Sequence, residues 1–93
     1  MPARISSEQI RAARALLRWE QKHLALASKV SLPSIKRLER QPGTLAAQER
    51  TVAALVDALE RAGAMFLEEN GGGPGVRLNN PEGDRPRDGA IKD

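Results

Sequence analysis

Residues 27–40 read ASKVSLPSIKRLER, and two residues in this stretch constrain the fold more than any others. Ser31 has the chemistry of an N-cap, because its hydroxyl can accept one of the orphan amides that open a helix. Pro33 follows in what must be the first turn, where the amide it lacks has no intrahelical partner to lose. A helix therefore begins at Ser31 and Leu32. Ile35 and Leu38 stand at helical spacing and mark its inward face. Lys36, Arg37 and Arg40 occupy the remaining faces, and Gln41-Pro42-Gly43 ends the helix after about Arg40. Upstream, Leu24 and Ala25 give a second short helix its inward face, over about Gln21 to Ser28. Lys22 and Lys29 stay wet, Lys29 takes the tight turn between the two helices, and Val30 is an apolar plug.

The flanks are helical too. Ser6-Ser7-Glu8-Gln9 predicts a capping box, with Ser6 bonding the amide of residue 9 and Gln9 reaching back. Ile5 and Ile10 sit at hydrophobic-staple spacing around it. Ile10, Ala13, Leu16 and Leu17 are read as one apolar face of this first helix, with Arg11, Arg14 and Arg18 along its flank. A longer fourth helix is expected from Ala46 or Gln48 to Ala62, with Val52, Leu55, Val56, Leu59 and Ala62 as its stripe and Gly63 as its C-cap residue. The segments at 64–69 and 75–79 alternate and are separated by a glycine-rich NGGGPG, which predicts a β-hairpin. Residues 80–93 are polar and rich in Pro, Gly and charge, so a disordered tail is expected there.

Composition narrows the chemistry. The chain has 93 residues, no cysteine and one histidine, His23. A disulfide framework, a thiolate metal site and a multi-histidine site are all excluded, and little remains for acid–base catalysis. No enzyme, no metal and no cofactor are expected. No apolar run approaches the roughly 20 residues needed to span a bilayer, and no signal-peptide core stands at the N-terminus. A cytoplasmic protein, associated with the nucleoid and with no membrane partner, is the expectation. The net charge of +3 is unevenly spread. Residues 1–40 carry nine Lys and Arg against three acids, whereas residues 41–93 carry six against nine. That asymmetry points to a polyanion partner for the first half.

Two short helices, a tight turn and a basic second helix make a helix-turn-helix, whose second helix can enter the major groove of DNA. IRAARALLRWEQKHLALASKVSLPSIKRLE (10–39) resembles the helix-turn-helix of Cro- and phage-repressor-like regulators, the xenobiotic-response-element (XRE) class. ALERAGAMFLEENGGGPGVRL (58–78) is similar to the end of some very small bacterial members of that class. The resemblance covers about residues 5–78. It implies a mainly α fold: a four-helix, lambda-repressor-like bundle over 1–63, with a short C-terminal β-hairpin over 64–79.

The resemblance also implies residue roles. Gln21 opens the second helix and bonds a DNA phosphate. Ser31, Leu32, Pro33 and Ser34 lead the recognition helix, with Leu32 and Pro33 toward thymine methyls and Ser34 toward a phosphate. Lys36 and Arg37 face the groove, Arg37 being placed for a bidentate contact to guanine. Arg40 and Arg11 meet backbone phosphates, and Arg14 pairs with Glu39 across the bundle. The chain departs from the family at two positions. Glu20 stands where a serine or threonine is usual, and Lys29 where a glycine is usual. If Lys29 takes the left-handed turn, the conformation costs roughly 1 kcal/mol, which a phosphate contact would offset.

The expected function is a sequence-specific transcriptional regulator, a repressor acting as a homodimer on an inverted repeat in double-stranded DNA. The helix-turn-helix reused as a protein-binding module, an anti-activator or antitoxin-like partner, is the alternative. The hairpin or the fourth helix would supply the dimer surface. Trp19 is read as a core or interface residue, His23 as a surface residue and GGGPG as a turn.

Overall fold

The computed structural model describes residues 4–68 and 72–79. It has four helices followed by a two-stranded antiparallel hairpin: α1 (Ser7–Leu17), α2 (Gln21–Ser28), α3 (Leu32–Arg40), α4 (Glu49–Arg61), β1 (Ala64–Leu67) and β2 (Gly75–Leu78). The expected tail over 80–93 lies outside the described residues. None of the described helices is long and apolar enough to cross a membrane.

α1 starts as its capping box dictates. Ser6 Oγ accepts from the Gln9 amide at 3.1 Å, and Gln9 Oε1 accepts from the Ser6 amide at 3.0 Å. Ile5 and Ile10 are both buried beneath this cap. The inward stripe of α1 is narrower than its sequence suggests. Ile10 and Ala13 are buried and Leu17 packs on the core, but Leu16 is 39% exposed. At about 100° per residue, Leu16 lies roughly 120° around the helix from Ile10, at the rim of the stripe. The helix ends with Arg18 in the left-handed region, φ 60° and ψ 40°.

α4 begins one residue after its N-cap Gln48, so Ala46 and Ala47 belong to the preceding loop. Leu55, Val56, Ala58 and Leu59 are buried against the other helices. The stripe is core first, as expected, with Val52 and Ala62 at its ends half-buried. Ala62 closes the helix, and Gly63 turns the chain at φ 118°, a left-handed backbone that costs a glycine little.

The loop between α3 and α4 folds back on the head of α1. Ser7 donates to Gly43 O at 2.9 Å, and Leu45 donates to Ile5 O at 2.9 Å. Gly43, at φ 88°, makes this return turn, and Leu45 joins the core. The hairpin covers the other side of α1. Its register pairs Ala64 with Leu78, Met65 with Arg77, Phe66 with Val76 and Leu67 with Gly75. Both strands are shorter than expected from sequence. Ala64 and Phe66 are buried, so one face of the hairpin completes the core. Asn79 donates to Gly63 O at 2.6 Å. That bond sets the alternation of the antiparallel ladder, so Val76 and Leu78 turn their own N–H and C=O groups to the edge of β2 that no described strand pairs.

Gln9 holds the hairpin in place. Its Nε2 donates to Gly75 O at 3.0 Å and to Leu67 O at 3.3 Å, across the open end of the ladder. One buried amide therefore caps α1 with its oxygen and clamps the hairpin with its nitrogen.

Candidate nucleic-acid interface

α2 and α3 are two short helices joined by the tight turn expected at residues 29–31, and local chemistry fixes that turn. Lys29 is the C-cap of α2 at φ 64° and ψ 21°. A non-glycine residue thus occupies the left-handed region, as the tight turn requires, and its amide donates to Ala25 O at 2.9 Å. Ser28 Oγ accepts from the Val30 amide at 3.1 Å and steadies the other side of the turn. Nothing in the sequence pattern marked Ser28 for this role. Ser31 then caps α3, accepting from the Ser34 amide at 3.3 Å, and Pro33 sits in the first turn. The Ser31 hydroxyl donates to Ser34 Oγ at 2.8 Å. Ser34 Oγ is the acceptor in that bond, so its own hydroxyl hydrogen remains for a phosphate.

The head of α2 opens at Gln21, as expected. Glu20 is the N-cap, and its amide donates to His23 Nδ1 at 2.9 Å. His23 is exposed, as expected, but it performs the reach-back that Gln9 performs in α1. The Glu20 carboxylate stays exposed, 3.6 Å from Lys22 Nζ.

Glu39 organises the interior of the motif. Its side chain is only 4% exposed, and Arg14 Nη2 approaches its Oε1 at 2.6 Å. This is the pairing of Arg14 with Glu39 that the family resemblance implies. The Gln21 amide also donates to Glu39 Oε1, at 2.9 Å. Gln21 is therefore tied to α3, and only its second amide hydrogen remains for an outside acceptor. Trp19 packs at the core margin, and its carbonyl accepts from Arg14 Nη1 at 3.0 Å.

The consequence appears on the outer face of α3. Ile35, Leu38 and Glu39 are buried, while Pro33, Lys36, Arg37 and Arg40 are exposed. The only acid of the helix is turned inward and neutralised, so the exposed side carries only positive charge. Lys29, Lys36, Arg37 and Arg40 have no carboxylate within ion-pair distance among the described residues. Leu32 is half-buried at the start of the helix. Arg11 stands apart from this cluster on α1, 3.7 Å from Glu8. Both partners are about half exposed, so the pair contributes little to stability.

Lys29, Ser34 and Arg37 are brought together along one wall of an open groove whose other wall is the approach to α4. Among the described residues, no group of three His, Asp or Glu side chains could hold a metal ion. Compared with known proteins, the chain matches no family model, and no curated protein matches it.

Proposed function

We propose that this protein is a sequence-specific DNA-binding regulator of the Cro and phage-repressor class, with a lambda-repressor-like fold, acting in the cytoplasm at the nucleoid. The observation that carries the reading is α3. It exposes Lys36, Arg37 and Arg40 together and buries its one carboxylate against Arg14. A capped helix with a wholly cationic outer face, held by a short turn against α2, has the chemistry and the shape for the major groove. Phosphates draw the cations in, and Arg37, at the centre of the face, reads guanine. Pro33 and Leu32 at the leading end offer apolar contact to thymine methyls.

The protein acts as a homodimeric repressor. One recognition helix covers little DNA, and two on a symmetric site reach useful affinity with half-sites about one helical turn apart. The edge of β2 that no described strand pairs is the dimer surface, since Leu55, Val56 and Leu59 of α4 are already buried within one chain. A two-fold through β2 that pairs Val76 with Leu78 of the partner copy centres on Arg77.

The alternative, a helix-turn-helix reused to bind a protein, draws on Glu20, whose exposed carboxylate at the head of α2 would face incoming phosphates. Fluorescence anisotropy separates the two. The purified protein is titrated onto duplex from its own upstream region and onto a scrambled duplex, over a range of salt. Preference for the native duplex with a steep salt slope is the expected result. Weak and equal binding to both duplexes, gone near physiological salt, would leave only a basic surface and favour the protein-binding reading.

A further inference from the structure

We propose that the groove between the turn and the head of α4 is a seat for one backbone phosphodiester of duplex DNA, gripped by Lys29; this rests on the DNA-binding reading above. The groove has a volume of about 690 Å³. Lys29, Ser34 and Arg37 line one side, and Ala47, Gln48 and Thr51 line the other. Among the described residues, no carboxylate lines it. Two cations, two hydroxyls and an amide therefore line the cleft beside the apolar Val30, Ala46 and Ala47, and that donor set suits a phosphate. Gln48 Oε1 accepts from Arg50 Nε at 3.2 Å, which leaves the Gln48 NH2 as its free donor.

The conformation of Lys29 is the second argument. Its φ of 64° is a backbone that a glycine adopts freely and a lysine only at a cost. The side chain satisfies nothing inside the protein: it is exposed, and no carboxylate pairs with it among the described residues. The turn explains the conformation, as the end of α1 does for Arg18 at φ 60°, but gives the lysine side chain no use inside the fold. The groove supplies one. It borders the exposed face of α3, so a strand whose bases meet Arg37 runs its backbone past Lys29. Phosphate contacts of this kind fix register without reading sequence. The seat is thus a positioning device for α3, and Arg37 stands at the boundary between the two tasks.

The test uses the intact chain and two variants, Lys29→Gly and Lys29→Asn. Glycine relieves the left-handed strain, and asparagine tolerates that conformation while removing the charge. Both are expected to melt at or above the temperature of the unsubstituted protein. Both are expected to bind duplex DNA more weakly, with the slope of log K against log salt reduced by about one per chain. More stable protein that binds less tightly is a pairing that a purely structural lysine does not produce. Unchanged slopes in both variants, beside a steep slope for the unsubstituted protein, would overturn the seat and leave the DNA-binding reading standing. No salt-dependent DNA binding by the unsubstituted protein would overturn both.

Discussion

Arg14 and Glu39, 25 positions apart, meet through two parallel hydrogen bonds: Nε donates to Oε2 at 2.8 Å and Nη2 to Oε1 at 2.6 Å. The pair joins α1 to α3. Through Gln21 and the Trp19 carbonyl it also holds the head of α2. Removing one partner leaves a charge poorly solvated. Arg14→Met alone is expected to cost about 3 kcal/mol, whereas Arg14→Met with Glu39→Leu falls within roughly 1 kcal/mol of the unsubstituted protein. Urea unfolding followed by helical circular dichroism measures both. A double variant as unstable as the single one would mean that side-chain shape, and not isolation of a charge, sets the cost.

Gln9 makes a different kind of junction, between a helix cap and a hairpin. Gln9→Leu keeps the bulk but removes an acceptor for Ser6 and the donor to Leu67 and Gly75. The expected loss is about 1–3 kcal/mol. It is expected to fall unevenly: hydrogen exchange should speed up in β1 and β2 while α3 keeps its protection. Uniform acceleration across the chain would show that the hairpin and the helices open as one unit.

The fold perturbs the titration of Glu8. The backbone N–H of Glu8 itself, then that of Gly43, with help from the Arg11 charge, hold its carboxyl below the ordinary value of 4.5. A carboxyl lowered on folding stabilises the protein above its unfolded pKa, and that stabilisation is lost as pH falls through the folded value. The stability gap between the unsubstituted protein and Glu8→Gln is therefore greatest near neutrality and closes below pH 4.5. Thermal melts across that range give the gap directly. A gap that persists in acid would assign the effect to packing of the loop at Gly43.

The proposed dimer carries a built-in repulsion. Pairing β2 with its symmetry mate sets Arg77 opposite Arg77, and like charges directly opposite in a ladder are unfavourable by about 0.2–1 kcal/mol. Arg77→Thr is expected to tighten self-association up to about fivefold. Added salt should tighten the unsubstituted dimer by screening the same pair. Sedimentation equilibrium measures both. Identical association by the variant would place the dimer on another surface.

On DNA, Arg37→Ala and Arg11→Ala are expected to differ in kind. Loss of a bidentate guanine contact removes about 1–3 kcal/mol of discrimination, so Arg37→Ala narrows the gap between native and scrambled duplexes. Arg11→Ala weakens both duplexes alike. Competition binding with single-base-pair substitutions of the site separates these outcomes. If Arg37→Ala left preference and affinity unchanged, α3 would not be the reading element.

The helices were readable in the sequence because the signals that bound them are local. Ser6 and Ser31 bond amides three residues away, Pro33 excludes an earlier start, and the spacing of Ile35 and Leu38 is a property of the helix itself. A tight turn at Lys29 was readable from how closely the two helices follow each other, but its left-handed backbone was a conditional expectation from the glycine usual there in the family the chain resembles, and the structure decided it. Leu16 was misplaced because periodicity sets the direction of a stripe but not its width. The width depends on what packs against it.

Chain-distant contacts account for what only the tertiary structure decided. A glutamate on a basic helix has no local reason to turn inward; Glu39 does so because Arg14 and Gln21 arrive from α1 and α2. Gln9 could be read as a cap, yet its hold on Leu67 and Gly75 exists only once the hairpin lies on α1. The groove joins residues near 29–37 to residues near 46–51 across a loop. By itself, then, the sequence determined four helices, a tight turn and a cationic α3, since caps and periodicity are energies of neighbouring residues. Folding decided which charges that helix shows and what cleft lies beside it, because both depend on burial against elements that the chain brings back from far away.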